Sequence, residues 1–324
     1  MTRYLTDPVE PSFRYRAESI SLTSSNVGPD TVEQIFLDKH MIIAAAHISA
    51  DALNDMFQLY DAQPWVKQLH EELTELWSIC SSRHQQILVR DLIKEFCMFD
   101  AELEAIACKK FNQQIHAWEL KPNTTWIVAV ANSNEVDGST AGLQKLKNKV
   151  LPYESWHSRF ISNIPSAGGV IKNGDHIVLF DDFIGTGKKM LRKIGWLSDI
   201  LNERGIEEFS ISCACFSGME FGIRHLAEQS NVPVFSSIFL KRGISERYTG
   251  DELTSALAHM KELEDQLAPA YKGKKLTDYT LGYEKSESLY CAINDNCPNN
   301  VFPILWWAIR RNNTPFKTLL QRAG

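Results

Sequence analysis

The chain has 324 residues, 44% hydrophobic and 23% charged, with a formal net charge of -6. That is the composition of a soluble globular protein with a large core and one or two domains; the negative charge argues against a protein whose main task is coating nucleic acid. No apolar run approaches the roughly 20 residues of a membrane span, so no membrane contact is expected. The opening MTRYLTDPVEPSFRYRAES lacks the apolar core of a secretory signal. Seven cysteines without a CxxC pair argue against a disulfide framework or a zinc ribbon, and a reduced, cytoplasmic protein is the expectation.

Residues 1–30 are polar, carry Pro8, Pro11 and Pro29, and read as an irregular arm. From Thr31 to about Leu120 apolar residues recur at three- and four-residue spacing without glycine, which predicts a helical module divided at Pro64. The texture changes after Pro122, so residues 1–120 are expected as arm plus helices and 121–324 as an α/β domain with an atypical C-terminal extension. TTWIVAVA reads as a strand and LQKLKNKVLPYESW as a helix; Gly168-Gly169 and Gly174 mark turns. The continuous apolar run Ile177 to Phe180 predicts a buried parallel strand. Met190, Leu191, Ile194, Leu197, Ile200 and Leu201 then outline one helical face. FSISCACF is a strand with Cys213 and Cys215 as small buried residues on one face, GMEFGIRHLAEQ a helix, VPVFSSIFL a strand and DELTSALAHMKELEDQL a helix. SESLYCAI is a further strand, and VFPILWWAI is expected to pack back on the core. Strands alternating with helices predict a parallel sheet covered on both faces.

The chemistry concentrates in Gly174 to Met190, GDHIVLFDDFIGTGKKM. The strand run ends in Asp181 and Asp182, and Gly185-Thr186-Gly187-Lys188 leads into a helix, at the sheet edge where open α/β folds place ligands. Glycine-loop amides and the unpaired amides of a helix's first turn favour phosphate. Thr186 adds a hydroxyl donor and Lys188 a full positive charge. The two carboxylates suit sugar hydroxyls, or a metal held through water. Phosphate at one end and vicinal hydroxyls at the other describe a ribose 5-phosphate. A P-loop would need glycine where Asp182 stands and Ser or Thr where Lys189 stands.

The loop Ser133 to Thr140 reaches the same edge; Asp137, Gly138, Ser139 and Thr140 are candidates for ligand contacts through amides and hydroxyls, with a helix N-cap at Ser139 or Thr140 as the plain alternative. Lys241 and Arg242 follow the VPVFSSIFL strand and either neutralise a polyphosphate or stand in solvent. Asn299 and Asn300, between prolines and before Trp306-Trp307, either read a base or sugar or form Asx-turns beside a buried anchor. The nine histidines show no metal-ligand spacing, and His176 opens its strand at the opposite edge.

The order strand, acidic pair, glycine loop, helix resembles the phosphoribosyl-diphosphate signature of the type I phosphoribosyltransferases. The resemblance implies a parallel-sheet type I phosphoribosyltransferase-like domain. It also implies that Asp181 and Asp182 hold the ribose at the catalytic centre, that Gly185, Thr186, Gly187 and Lys188 wrap the phosphate, that the loop with Asp137, Gly138, Ser139 and Thr140 meets the pyrophosphate or base, and that magnesium (Mg2+) is the cofactor. The family loop usually has Thr where Gly185 and Lys188 stand. DDFIGTGK together with Gly282-Tyr283, the PNN-x-x-P-x-x-W run from Pro298 to Trp306, and Leu319 to Arg322 is similar, over about residues 65–324, to phosphoribosyltransferase-like effectors of bacterial conflict systems. Some of these accompany retron reverse transcriptases. That similarity implies an anti-phage effector, a toxin held inactive by partners: a reverse transcriptase with its RNA–DNA hybrid, and a winged-helix protein. The expected reaction is transfer or cleavage at ribose C1 of a nucleotide or of phosphoribosyl diphosphate. A non-catalytic nucleotide sensor and a base-salvage phosphoribosyltransferase are the alternatives, and oligomeric state is left open.

Overall fold

The computed structural model describes residues 49–133 and 138–323. In chain order the helices are α1 (Ala50–Ala62), α2 (His70–Ser78), α3 (Arg83–Lys94), α4 (Ala101–Ala117), α5 (Gly138–Leu146), α6 (Tyr153–Trp156), α7 (Ile164–Ala167), α8 (Lys188–Glu203), α9 (Glu220–Ser230) and α10 (Gly250–Glu264). The strands are β1 (Cys97–Phe99), β2 (Thr125–Ala129), β3 (Phe160–Ile161), β4 (Asp175–Ile184), β5 (Phe209–Met219), β6 (Val234–Leu240), β7 (Ala270–Tyr271), β8 (Lys274–Lys275) and β9 (Tyr290–Ala292). Among the described residues no helix is long and apolar enough to cross a membrane.

Five strands form one parallel sheet in the order β3-β2-β4-β5-β6. The chain moves outward from β2 to β3, then crosses back to β4, so the order reverses between β2 and β4. Crevices at such reversals, outside the carboxyl ends of the strands, are where doubly wound sheets bind ligands. Ile177, Val178, Leu179 and Phe180 of β4 are fully buried, which is why this strand is apolar without alternation. The period of two sends Ile177 and Leu179 to a core with Met190, Leu197 and Leu201 of α8 and Leu226 of α9. Val178 and Phe180 go to the opposite core, with Phe111 and Ile115 of α4 and Leu143 and Leu146 of α5. Cys213 and Cys215 lie fully buried on the α8 side, and burial pushes the Cys215 thiol up to about 12.

A third core joins Leu59, Leu73, Leu88 and Ile93 of the first helices to Met260 and Leu263 of α10 and to Val301, Phe302, Trp306 and Trp307 of the C-terminal segment. The Trp-rich run is thus an internal anchor, with Trp306 Nε1 donating to Val301 O at 2.9 Å. The helical pattern predicted up to Leu120 is interrupted by β1, which pairs in parallel with β9 (Cys97↔Tyr290, Phe99↔Ala292). Its CMF run is apolar on both faces and finds its partner only in the distant C-terminal segment. Asp100 then caps α4, accepting from the amides of Glu102 and Leu103 at 3.0 Å each.

Candidate functional site

β4 does not end at the acidic pair. Its ladder with β5 continues through Asp181↔Cys215 to Ile184↔Gly218, because β5 itself extends to Met219. Two adjacent strand residues face opposite sides of a sheet, so the carboxylates diverge. Asp181 faces α8: it is 2% exposed, Lys189 Nζ lies 3.2 Å from its Oδ2, and the Asp182 amide donates to its Oδ1 at 3.2 Å. Asp182 faces α5, where a Cβ on Gly138 would stand 2.5 Å from its Oδ1; glycine at 138 lets the helix start approach the carboxylate.

Each carboxylate therefore lines its own cleft. The first, of about 370 Å³, holds Asp181, the loop Gly185-Thr186-Gly187-Lys188, Lys189 and Arg192, and is walled by Tyr283, Asn299 and Asn300. The second, of about 390 Å³, holds Asp182, Gly138, Ala141, Tyr290, Asp295 and Arg322. Phe183, Lys189 and Asn299 line both and form the ridge between them. A larger cavity of about 450 Å³, near Trp65, Met98 and Leu319, has Glu72 and Asp295 as its charged lining and no lysine or arginine, which disfavours an anion.

The glycine loop is shaped by close backbone packing. Gly187 has φ +80 and serves as N-cap of α8, leaving the first-turn amides of that helix at the cleft. Gly222 of α9 lies directly against Gly185: a Cβ there would come 1.9 Å from Gly185 O. On the other side the Asn300 side chain rests on Gly185, its Nδ2 donating to Ser286 Oγ at 3.0 Å.

A strap from Leu281 to Glu287 covers this cleft. Leu281, Glu284, Lys285 and Glu287 all have positive φ, an unfavourable conformation for side-chain-bearing residues that persists only where surroundings over-determine it. Here they do. Glu264 Oε1 accepts from the Leu281 amide at 2.9 Å, and the Glu287 carboxylate accepts from the amides of Ile244 and Ser245 at 2.8 and 2.7 Å. Asn299 O accepts from the Tyr283 amide at 2.8 Å. The strap delivers Glu284 to Lys188, with Oε1 2.8 Å from Nζ, and this hydrogen bond and charge raise the lysine pKa.

Of the residues singled out in the sequence, Asp181, Gly185, Thr186, Gly187, Lys188, Asn299 and Asn300 meet in the first cleft, and Gly138, Asp182 and Asn299 in the second. Asp137 lies outside the described residues. Ser139 and Thr140 stand in the first turn of α5 instead of capping it; Ser139 is buried and Thr140 Oγ1 donates to Ser162 O at 3.4 Å. Lys241 is exposed, while the Arg242 guanidinium is drawn onto the Phe221 ring, 4.0 Å from its centroid. None of these last four lines either cleft. His176 bonds Ser210 and Ser212 at the amino-terminal end of β4, away from both clefts, and burial lowers its pKa.

Sequence reasoning did not select Lys189, Arg192, Phe183, Tyr290, Glu284 or Arg322. The two cations were legible as the i+1 and i+4 neighbours of Lys188 on a helix. Phe183 and Tyr290, stacked with centroids 4.7 Å apart, belong to strands distant in sequence. Arg322 stacks on Trp306 and donates to Cys297 O; burial lowers its pKa. Among the described residues no group of three or more His, Cys, Asp or Glu could hold a metal ion unaided. Magnesium commonly uses one or two carboxylates plus substrate phosphates; because Asp181 and Asp182 line separate clefts, one such ion would be held by one of them together with phosphates of the ligand.

The fold and the site thus define a doubly wound α/β protein with a glycine loop and a helix N-terminus at its switch point. The family model PRTase-CE matches residues 62–322, and the chain belongs to that family, with a phosphoribosyltransferase-like domain. Among solved structures it is similar to orotate phosphoribosyltransferase from Aeropyrum pernix, at 14% identity and TM-score 0.27, over 48% of this chain and 74% of that one. It is also similar to Mycobacterium tuberculosis H37Rv orotate phosphoribosyltransferase in complex with 5-phospho-alpha-D-ribosyl 1-diphosphate, at 11% identity and TM-score 0.27, over 42% of this chain and 72% of that one. No curated protein matches the chain.

Proposed function

We propose that this protein binds a ribose 5-phosphate unit and acts at ribose C1 of a nucleotide or of phosphoribosyl diphosphate, by glycosyl transfer or N-glycosidic cleavage. The observation that carries the reading is the pair of adjoining clefts, one with phosphate donors and each with one carboxylate of the Asp181-Asp182 pair. In this reading the glycine-loop amides, Thr186 and Lys188 take the 5-phosphate. The ribose lies over the Phe183–Lys189 ridge between the carboxylates, and the group on C1 lies in the second cleft. The C1 bond breaks with its electron pair leaving on the base or diphosphate. Asp181 and Asp182 stabilise the developing oxocarbenium charge, and water or an incoming base captures C1. Magnesium, held by one of these carboxylates and by the ligand's phosphates, would supply charge neutralisation.

The biological setting we propose, an anti-phage effector restrained by a reverse transcriptase complex and a winged-helix protein, rests on the resemblance of the DD loop and the Pro298–Trp306 run to conflict-system effectors. A binding-only sensor is the second reading. It is favoured by one observation: Lys189 and Lys188 are already paired with Asp181 and Glu284.

The test is mass spectrometry of nucleotide pools in cells expressing the chain with its neighbouring genes, with and without phage, against Asp181→Ala/Asp182→Ala. Depletion of a specific nucleotide by the wild type alone is expected. Equal depletion by a folded double mutant would remove the sugar-binding assignment. Saturable binding of phosphoribosyl diphosphate or of a nucleotide without any product, with every neighbouring gene product present, would select the sensor.

A further inference from the structure

Three cations line the phosphate cleft, Lys188, Lys189 and Arg192. Asp181 neutralises Lys189 at 3.2 Å and Glu284 neutralises Lys188 at 2.8 Å. The Arg192 side chain is exposed and, among the described residues, makes no hydrogen bond, ion pair or ring contact. It follows Lys188 by four residues and Lys189 by three, so the three share one side of α8. Positive charge therefore runs about one helical turn, roughly 5 Å, beyond the glycine loop. A single 5-phosphate is served by the loop amides, Thr186 and Lys188 and leaves Arg192 without a task. The Glu284 carboxylate on Lys188 shows where an oxyanion is received at the rim. The strap backbone is held by its own hydrogen bonds to Glu264, Ile244, Ser245 and Asn299, so the Glu284 side chain can leave Lys188 to an incoming anion while the strap stays in place.

Resting on the reading that the glycine loop takes a 5′-phosphate, we propose that the ligand is a nucleoside 5′-di- or triphosphate. The loop amides and Thr186 hold the 5′-phosphate, Lys188 gives up Glu284 and bridges that phosphate to the second, and the outer phosphate charge is met by Arg192. Arg192 is then the residue that selects polyphosphates over monophosphates; its planar fork of donors suits a phosphate oxygen pair better than an ammonium does.

The experiment is calorimetric titration of the full chain, with magnesium, by AMP, ADP and ATP and by CMP, CDP and CTP, alongside ribose 5-phosphate. The expected result is triphosphate binding at least about tenfold tighter than monophosphate in one series or both, as added charged hydrogen bonds imply. Arg192→Gln, an exposed change compatible with folding, shrinks that ratio to within about threefold. Lys109→Gln, removing an exposed charge on α4, leaves it intact. Equal affinity for mono- and triphosphates, or an undiminished preference in Arg192→Gln, overturns the inference and leaves the phosphate-cleft reading standing. Absence of binding by every nucleotide and by ribose 5-phosphate sinks both.

Discussion

Glu264→Gln tests whether a buried carboxyl sets the stability of the strap over the phosphate cleft. Glu264 is 1% exposed, and burial raises its pKa from 4.5 to about 8, against the opposing hydrogen bond from Leu281; the charges of Asp265 and Glu287 add to the rise. The folded chain therefore holds a proton between about pH 4.5 and 8 that the unfolded chain gives up. Stability falls as pH rises through that window and levels off above it. At about 1.4 kcal/mol per unit, three units of the window correspond to roughly 4 kcal/mol, an order-of-magnitude figure. Glutamine keeps an oxygen for the Leu281 amide and does not titrate. Its NH2 takes the place of Oε2, an atom without a hydrogen-bond partner, at a cost of about 1–3 kcal/mol that is the same at every pH. The change in the gap between the two proteins is thus the measured quantity. Urea unfolding followed by tryptophan fluorescence at pH 5, 6.5 and 8 should show the variant gaining on the wild type by a few kcal/mol across the series. Parallel curves would falsify the account, because they would mean that Glu264 is ionised in the folded chain.

Gly222→Ala should disable the proposed phosphate cleft from a neighbouring helix. Its Cβ would meet the Gly185 carbonyl, O at 1.9 Å and C at 2.9 Å, and neither is a side-chain atom that can swing away. Helix propensity favours alanine by up to about 1 kcal/mol, so far-UV circular dichroism should be retained while ribose 5-phosphate affinity falls at least about tenfold. Wild-type affinity in a folded variant would show that this contact does not shape the loop. In the helical core, the fully buried Asp55 carboxylate accepts from Arg83 and Arg90. Burial works against its ionisation, but the two guanidinium groups together hold its pKa below the ordinary value. Asp55→Asn should cost about 3 kcal/mol, the low end of the range for a broken buried pair because both arginines keep some solvent. Since the folded pKa is depressed, this contribution is present above about pH 4 and is lost as pH falls through the folded value. Denaturation midpoints of mutant and wild type should therefore converge in acid; a gap independent of pH would point to packing instead of charge.

The parts of the fold legible in the sequence are those whose cause is local. The run Ile177 to Phe180 is apolar at every position because both faces of β4 are covered, and the glycine loop announces itself because Gly187 must take a positive φ at a helix start. β1 was not legible: CMF sits between helical stretches and is a strand only because Tyr290 to Ala292 lies beside it. The same limit hid the strap. Nothing near Lys188 predicts that Glu284, about a hundred residues on, delivers a carboxylate to it, and nothing near Leu281 predicts that Glu264 holds the strap in place.

The divergence of Asp181 and Asp182 is the instructive intermediate case. A period of two was available from the strand pattern, but its consequence depended on the strand continuing past the pair, and that is decided by the length of β5. Once the ladder runs to Ile184, adjacency in sequence becomes separation in space. One carboxylate is committed to the phosphate side with Lys189 and the other to Gly138 and the second cleft. A ligand confined to one cleft can meet only one of them, so an effect of both single variants, Asp181→Ala and Asp182→Ala, on the same ligand requires a molecule that crosses the Phe183–Lys189 ridge. A phosphate, a pentose and a substituent on C1 have that extended shape, and a free phosphate or a free base does not.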